Sequence, residues 1–393
     1  MIPEDEALAR ILAHIRPLPP RQVPLGEALN CFAAADVLAA VSLPPFDNSA
    51  MDGYAVVASS CSVGGRLKIV GEQPAGLDRG LHVAPGEALR IFTGAPMPAG
   101  ADAVIMQEEV TREDDAIVID AGVEAGDFIR RRGGDVAEGQ KIVSAGDRIT
   151  PQTIALLGAQ GLGALRVGGR VRAAIISTGD ELAAPGTPLR SGQIYDSNSA
   201  LLAALLQSCG VEVASVTHCA DEADEIEAAI GAGATCDAMI ITGGVSVGAR
   251  DLVKPALTSA GASLDLWRVA VKPGKPFLFG HAPGCAIFGL PGNPVSAFVT
   301  FLLFVRPALL RLMGANDAAL PLPQSEARVS DDIDNAGERP HYIRGRLDAG
   351  TFTPVGRQES HALFGLSRSN ALLRAKPGAA IRAGDRATVL SCQ

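Results

Sequence analysis

Three segments of the chain place glycines, hydroxyls and acids directly after apolar runs. Ser177-Thr178-Gly179-Asp180-Glu181 follows Ala173-Ala174-Ile175-Ile176, and Thr242-Gly243-Gly244-Val245-Ser246-Val247-Gly248-Ala249-Arg250-Asp251 follows Ala238-Met239-Ile240-Ile241. Pro291-Gly292-Asn293-Pro294 joins a third apolar run to a helical pattern. Glycine lets backbone N–H groups approach phosphate oxygens, and a helix N-terminus just beyond adds positive potential, so a phosphorylated ligand is the chemistry that fits. Any one of these loops is equally served by a tight turn or a helix cap; three of them in one domain point to a site. Val271-Lys272-Pro273-Gly274-Lys275-Pro276 adds two lysines, three apart, on a turn stiffened by proline, where their ammonium groups can meet one oxyanion. Carboxylates complete the set: Glu181 and Asp251 in the glycine-rich loops, Asp52 and Asp135 further upstream. Hard oxygen ligands beside phosphates suit Mg2+, although a single acid is ordinarily solvated surface.

The elements that must carry these residues are legible from periodicity. From residue 171, apolar strands (173–176, 211–216, 238–241, with further runs at 264–271 and 286–290) alternate with helices (199–208, 222–230, one starting at 252, and 294–313 with a kink at Pro307). That alternation predicts a parallel sheet buried on both faces, and such sheets bind ligands at the carboxyl ends of their strands, where the three loops lie. Residues 4–15 read as an amphipathic helix with Ala7, Ile11, Leu12 and Ile15 on one face, a packing or dimerisation arm stopped by Arg16-Pro17-Leu18-Pro19-Pro20. Residues 41–147 are short apolar runs punctuated by Gly and Pro, hence β-rich, and 151–160 reads as a helix with proline in its first turn. After Pro321-Leu322-Pro323 the pieces fit a small β-barrel or sandwich.

Composition narrows the function classes. At 393 residues the chain holds several domains, and 47% apolar against 20% charged residues excludes wholesale disorder. With 34 basic and 43 acidic residues the net charge is −9, which disfavours nucleic acid or an anionic membrane surface as partner. The apolar stretch around 299–305 is short for a membrane span, and the acidic start Met1-Ile2-Pro3-Glu4-Asp5-Glu6 is unlike a leader peptide, so a cytoplasmic protein is expected. Seven scattered cysteines (Cys31, Cys61, Cys209, Cys219, Cys236, Cys285, Cys392) form no Cys-x-x-Cys pair and read as reduced thiols rather than a zinc site. There is no Gly-x-Ser-x-Gly elbow and no Gly-x-x-x-x-Gly-Lys-Ser/Thr loop, and His218 and His361 read as structural or surface residues.

Read in order, eight segments resemble the molybdopterin molybdenumtransferase family, of the MoeA or gephyrin E-domain type. They are Pro44-Pro45-Phe46-Asp47-Asn48-Ser49-Ala50-Met51-Asp52-Gly53-Tyr54-Ala55-Val56 with Thr93-Gly94-Ala95-Pro96, Arg131-Arg132-Gly133-Gly134-Asp135, the loop beginning at Ser177, Tyr195-Asp196-Ser197-Asn198, the loop at Gly243, the two-lysine turn, and Leu290-Pro291-Gly292-Asn293-Pro294. The resemblance implies a multidomain α/β plus β protein with four parts. These are a discontinuous N-terminal linker and dimerisation domain (1–45 and 140–170), an inserted β-rich domain (46–139), a central molybdopterin-binding parallel α/β domain (171–320) and a C-terminal β-barrel (321–393). It implies a homodimer with its cleft between the α/β domain of one subunit and the β-rich domain of the other. Its reaction takes adenylylated molybdopterin and molybdate, inserts molybdenum into the dithiolene and releases AMP, promoted by Mg2+.

Residue by residue, the resemblance assigns catalytic roles to Asp52, Thr93, Asp135, Glu181, Asp221 and Asp251, with Glu181 and Asp251 as metal ligands. Gly179, Asp180, Gly243, Gly244, Ser246, Gly248, Pro291, Gly292 and Asn293 fall to substrate binding. Lys272 and Lys275 match anion-binding lysines, and Arg344 and Ser360 match residues that complete the molybdate pocket. Leu252 replaces an aromatic residue often found after the Asp251 position. The substrate's own sulfurs bind molybdenum, so the protein cysteines need no catalytic role. Transient partners would be molybdopterin adenylyltransferase and molybdoenzyme-maturation proteins. Two other readings compete: the related adenylyltransferase, whose smaller architecture does not fit the long flanking regions, and a non-catalytic scaffold, for which no disordered linker or fused domain is visible.

Overall fold

The computed structural model describes residues 1–245 and 252–392; the expected site residues Ser246, Gly248 and Asp251 lie outside the described residues. Two compact units are present: Met1–Ala35 with Ala145–Ile154 and Gly163–Gln393, and Asp36–Ser144 with Ala155–Leu162.

The first unit begins with helix α1 (Glu4–His14). A sheet follows, built from β1 (Arg172–Thr178), β2 (Glu212–Cys219), β3 (Ala238–Thr242), β4 (Ser263–Arg268), β5 (Pro276–Ala282) and β6 (Cys285–Leu290), in the spatial order β2-β1-β3-β6-β5-β4. The helices interleaved with these strands are α2 (Ser197–Ser208), α3 (Ala223–Gly233) and α4 (Val253–Ser259), and α5 (Pro294–Thr300) and α6 (Arg306–Leu312) follow β6. Strands β2, β1, β3 and β6 are mutually parallel. All residues of β3 and β6 are buried, as continuous apolar runs in a two-sided sheet must be. On one face Phe277, Phe279 and Phe288 pack with Phe301 and Phe304 of the long helix and with Ala7 and Ile11 of α1. On the other, Ile176, Met239, Ile241 and Ile287 meet Ile226, Ile230, Val253 and Leu257.

One local outcome differs from the periodicity reading. Strands β5 and β4 run antiparallel to their neighbours. Only Pro283-Gly284 separates the paired residues Ala282 and Cys285, and two residues can close a hairpin but not a parallel crossover; Gly284, at φ +80, takes the turn position that favours glycine. The long helix runs through Pro307, the position read as a kink, as expected. A π-helical turn, Phe301–Val305, joins α5 to α6, absorbing the backbone hydrogen bond that proline cannot donate. The resulting 19-residue helix, Pro294–Leu312, has the length and apolar composition of a membrane span, yet most of it is buried inside the unit, packed in the core.

The C-terminal residues close a five-stranded barrel of Gln324–Val329, Thr351–Pro354, His341–Asp348, Ala371–Ala375 and Arg386–Ser391. Helix α1 is tied to it through buried Glu4, whose carboxylate accepts from Tyr342 Oη at 2.9 Å and pairs with the Arg374 guanidinium.

The second unit is a six-stranded sheet in the order Ala103–Met106, Gly53–Val56, Glu87–Ile91, Arg66–Gln73, Ala116–Ile119, Val110–Glu113. Tyr54, Val56, Leu67, Ile105, Ile117 and Ile119 form its core.

Candidate active site

Within the second unit, three of the sequence motifs converge. Arg131 Nη1 and the Arg132 N–H both donate to the Asp47 carboxylate at 2.7 Å, and Asn48 and Ser49 pair antiparallel with Arg130 and Ile129. Gly94 N donates to Ser49 O and Ala95 O accepts from Ser49 N, which brings the 93–96 loop alongside. Asp52 Oδ1 accepts from both the Thr93 N–H and the Thr93 hydroxyl, each at 2.8 Å. Those bonds, the backbone one foremost, hold the Asp52 carboxyl below the usual range, with the Arg90 charge a smaller contribution. Asp135 is exposed, its N–H donating to Leu43 O. Arg90 was not anticipated from sequence: its guanidinium sits over the Tyr54 and Phe92 rings at 5.1 and 4.9 Å and bonds Gln107 Oε1 at 2.6 Å.

In the first unit, the parallel strands bring their carboxyl ends, and the loops after them, to one edge of the sheet; β5, being antiparallel, starts there, which adds the two-lysine turn. Gly179, at φ +146, has the Glu181 carboxylate packed where a Cβ would stand, 2.7 Å away. A Cβ at Gly243 would lie 2.4 Å from Thr178 O, and one at Gly244 would lie 2.7 Å from the Val253 side chain. The glycines are therefore needed for close approach as well as for backbone angle. Asp180 Oδ1 accepts from the Asp221 N–H at 3.1 Å, so the ends of β1 and β2 are linked.

Asp196 caps α2, taking Ser199 N at 3.0 Å and Ser199 Oγ at 2.6 Å. Burial opposes its charge, but these bonds outweigh burial and hold its carboxyl below the usual range. Asn198 Nδ2 donates to Thr242 Oγ1 and to Gly292 O, both at 2.8 Å, pinning the ends of β3 and β6 to the start of α2. Asn198 Oδ1 and Thr178 Oγ1 are buried with no hydrogen-bond partner, unmet polar capacity beside a cavity of about 670 Å³. That cavity is lined by Thr178, Glu181, Tyr195, Asn198, Thr242, Gly243, Gly292, Asn293 and His361, among others.

A second cavity of about 680 Å³ shares Pro276, Asn293 and His361 with the first. Its lining includes Lys272, Gly274, Lys275, Arg339, His341, Glu359 and Ser360. Lys272 is clamped through its backbone, donating to Pro340 O at 2.9 Å and accepting from Tyr342 N at 2.8 Å. Arg339 Nη1 donates to Val271 O at 2.8 Å. Asn293 Nδ2 donates to Ser360 Oγ at 3.0 Å. His341 is buried with an unpartnered Nε2, and burial together with the charges of Lys272, Arg344 and Arg339 pushes its pKa down to about 4. It is a neutral imidazole among cations at ordinary pH.

The structure thus brings Gly179, Asp180, Glu181, Asp221, Gly243, Gly244, Pro291, Gly292, Asn293, Lys272, Lys275 and Ser360 to one edge of the first unit. Arg344 is placed differently from the pocket position the resemblance implies. It is 1% exposed, and its guanidinium donates to the Ala362 and Arg357 carbonyls, so it holds the loop that carries Ser360. Arg339, His341 and His361 line the cavities instead; only the proximity of Arg339 to Arg344 in sequence hinted at this. For Mg2+, the carboxylates Asp180, Glu181 and Asp221 have the right donor chemistry, but no trio of ligands closes among the described residues at this edge. The described cysteines are all free, and burial pushes Cys285 and Cys392 up to about 12, which keeps them as thiols.

Comparison with known proteins covers nearly the whole chain. Residues 2–161 match the MoeA N-terminal region (domain I and II), 174–311 a probable molybdopterin binding domain, and 326–392 the MoeA C-terminal region (domain IV). Molybdopterin molybdenumtransferase 2 of Mycobacterium tuberculosis is 39% identical over 382 residues, covering 94% of this chain and 93% of that protein. The molybdopterin molybdenumtransferase of Haemophilus influenzae is 37% identical, covering 95% and 94%. The crystal structure of the molybdopterin biosynthesis MoeA protein of Pyrococcus horikoshii OT3 superposes with a TM-score of 0.86 at 30% identity, over the full length of both chains. With relatives this similar spanning almost all of its length, the chain belongs to the molybdopterin molybdenumtransferase family.

Proposed function

We propose that this protein is a transferase of molybdenum cofactor biosynthesis that inserts molybdenum into molybdopterin, taking adenylylated molybdopterin and molybdate and releasing AMP. The observation that carries the reading is that two cavities of different chemistry adjoin, sharing Pro276, Asn293 and His361 in their linings. The glycine-rich loops and the start of α2 suit a phosphorylated pterin, while Lys272, Lys275 and Arg339 suit a tetrahedral dianion. In this reading the lysines attract and orient molybdate, and Ser360 Oγ offers a directed hydrogen bond. Glu181 and Asp251 would hold Mg2+, which when bound neutralises charge developing on the phosphate of the leaving AMP. Asp52, Thr93 and Asp135 act in the same reading from a partner subunit, as a homodimer would place them. The four-part domain division given above, a cytoplasmic location and transient contact with cofactor-pathway proteins belong to the same proposal.

The test is AMP release and cofactor formation in purified protein supplied with adenylylated molybdopterin, molybdate and Mg2+. Lys272→Ala and Lys275→Ala should each raise the molybdate concentration for half-maximal turnover roughly tenfold or more, with pterin affinity much less changed. An unchanged molybdate response with lost pterin affinity would move the lysines to the pterin phosphate. Pterin binding without AMP release would instead support a scaffold.

A further inference from the structure

His14, Asp265 and His281 come from the end of α1, from β4 and from the far end of β5, and each offers a ligand atom within 4.8 Å of the others. Both imidazoles have acceptor-only partners at Nδ1. His14 Nδ1 lies 3.0 Å from the Arg10 carbonyl, and His281 Nδ1 lies 2.9 Å from Asp265 Oδ2. A carbonyl or a carboxylate can only accept, so in each neutral ring Nδ1 carries the proton and Nε2 carries the lone pair. Histidines oriented in this way, one of them by a carboxylate, are the usual arrangement of metal-binding imidazoles. The two rings stack with centroids 4.9 Å apart.

The backbone reinforces the grouping. Strand β4 pairs Leu264 with Gly280 and Leu266 with Phe279, so Asp265 is an extra residue with no partner of its own in the register. A bulge of this kind re-aims the side chain it carries, here toward His281. The site is also accessible, since the Asp265 and His281 side chains retain 24% and 41% exposure.

We propose that His14 and His281, with Asp265 holding the His281 ring from its Nδ1 side, form a site for a late first-row divalent metal such as Zn2+, Co2+ or Ni2+, which fastens the end of α1 to the antiparallel edge of the sheet. Imidazole nitrogen selects these ions over Mg2+. Metal–nitrogen bonds of about 2.0–2.1 Å bring ligand atoms to about 3.3 Å from one another, a closure that rotation of the exposed His14 side chain supplies. The site does not depend on the proposed reaction, and its readouts do not use it.

The test uses full-length protein stripped with a chelator and titrated with Co2+ and then Zn2+, in the presence of millimolar Mg2+. Visible absorption of Co2+ should saturate at one equivalent, Zn2+ should displace it, and the metal should raise Tm. His14→Ala and His281→Gln should each weaken that equivalent at least about tenfold and remove the Tm rise, and Asp265→Asn should weaken it by a similar factor. Far-UV circular dichroism checks that the variants fold; His14 is exposed on a helix end, so its removal leaves the core in place. The proposal fails if no Co2+ equivalent appears, if it survives both histidine substitutions in folded protein, or if Mg2+ displaces it.

Discussion

An imidazole buried among Lys272, Arg339 and Arg344 pays twice for a proton, once in desolvation and once in repulsion, which is why His341 titrates near 4 in the folded protein. The unfolded chain releases this restraint and returns the group to about 6.5. The unfolded state therefore binds the proton more readily, so His341 contributes stability that is present above about pH 6.5 and is lost as pH falls through 4. The full effect is on the order of 3 kcal/mol. Urea unfolding at pH 7 and pH 4 should show a larger loss for the wild-type protein than for His341→Gln, and equal losses would mean that His341 is not the group responsible.

At the scale of elements, the loops after β3 and β6 are held by one side chain from α2. Asn198 supplies a donor to Thr242 Oγ1 and another to Gly292 O, and its removal takes a hydrogen bond from each, the one at Thr242 in a fully buried setting. Asn198→Ala should cost about 1–3 kcal/mol in stability. Because Gly292 and Thr242 line the cavity of the glycine-rich loops, and neither lines the lysine cavity, the loss should weaken adenylylated pterin binding more than molybdate response. Thermal unfolding together with separate titrations of the two substrates checks this. An equal loss for both would assign Asn198 to the fold as a whole.

At the scale of the whole molecule, the acids of the two motif sets belong to different compact units, Asp52 to one and Glu181 to the other. If activity belongs to a homodimer, mixing inactive Asp52→Ala with inactive Glu181→Ala protein should restore part of the turnover, because one intact combination of acids re-forms in each heterodimer. Turnover measured after confirmed subunit exchange decides the matter, and no recovery would sink the shared-cleft reading.

Local order along the chain was enough to locate the chemistry at the strand ends. Apolar runs buried on both faces announce their own strands, a strand followed by a helix orders its successor in parallel, and the glycine-rich loops must then fall at the carboxyl edge. The pairing of Asp47 with Arg131 and of Asp52 with Thr93 joins motifs that the sequence only set in order, and it came with the fold. What periodicity could not decide is which side chains of the barrel face a cavity and which are used inside it. Arg344 and Arg339 are five residues apart and chemically identical, yet one spends its guanidinium on loop carbonyls and the other lines the lysine pocket. His361, isolated in sequence, lines both cavities, and His14 and His281 meet across 267 positions. Spacing along a chain carries information only over the few residues whose directions the local backbone sets; contacts between separate elements depend on how their buried faces pack, and that is decided when the tertiary structure forms.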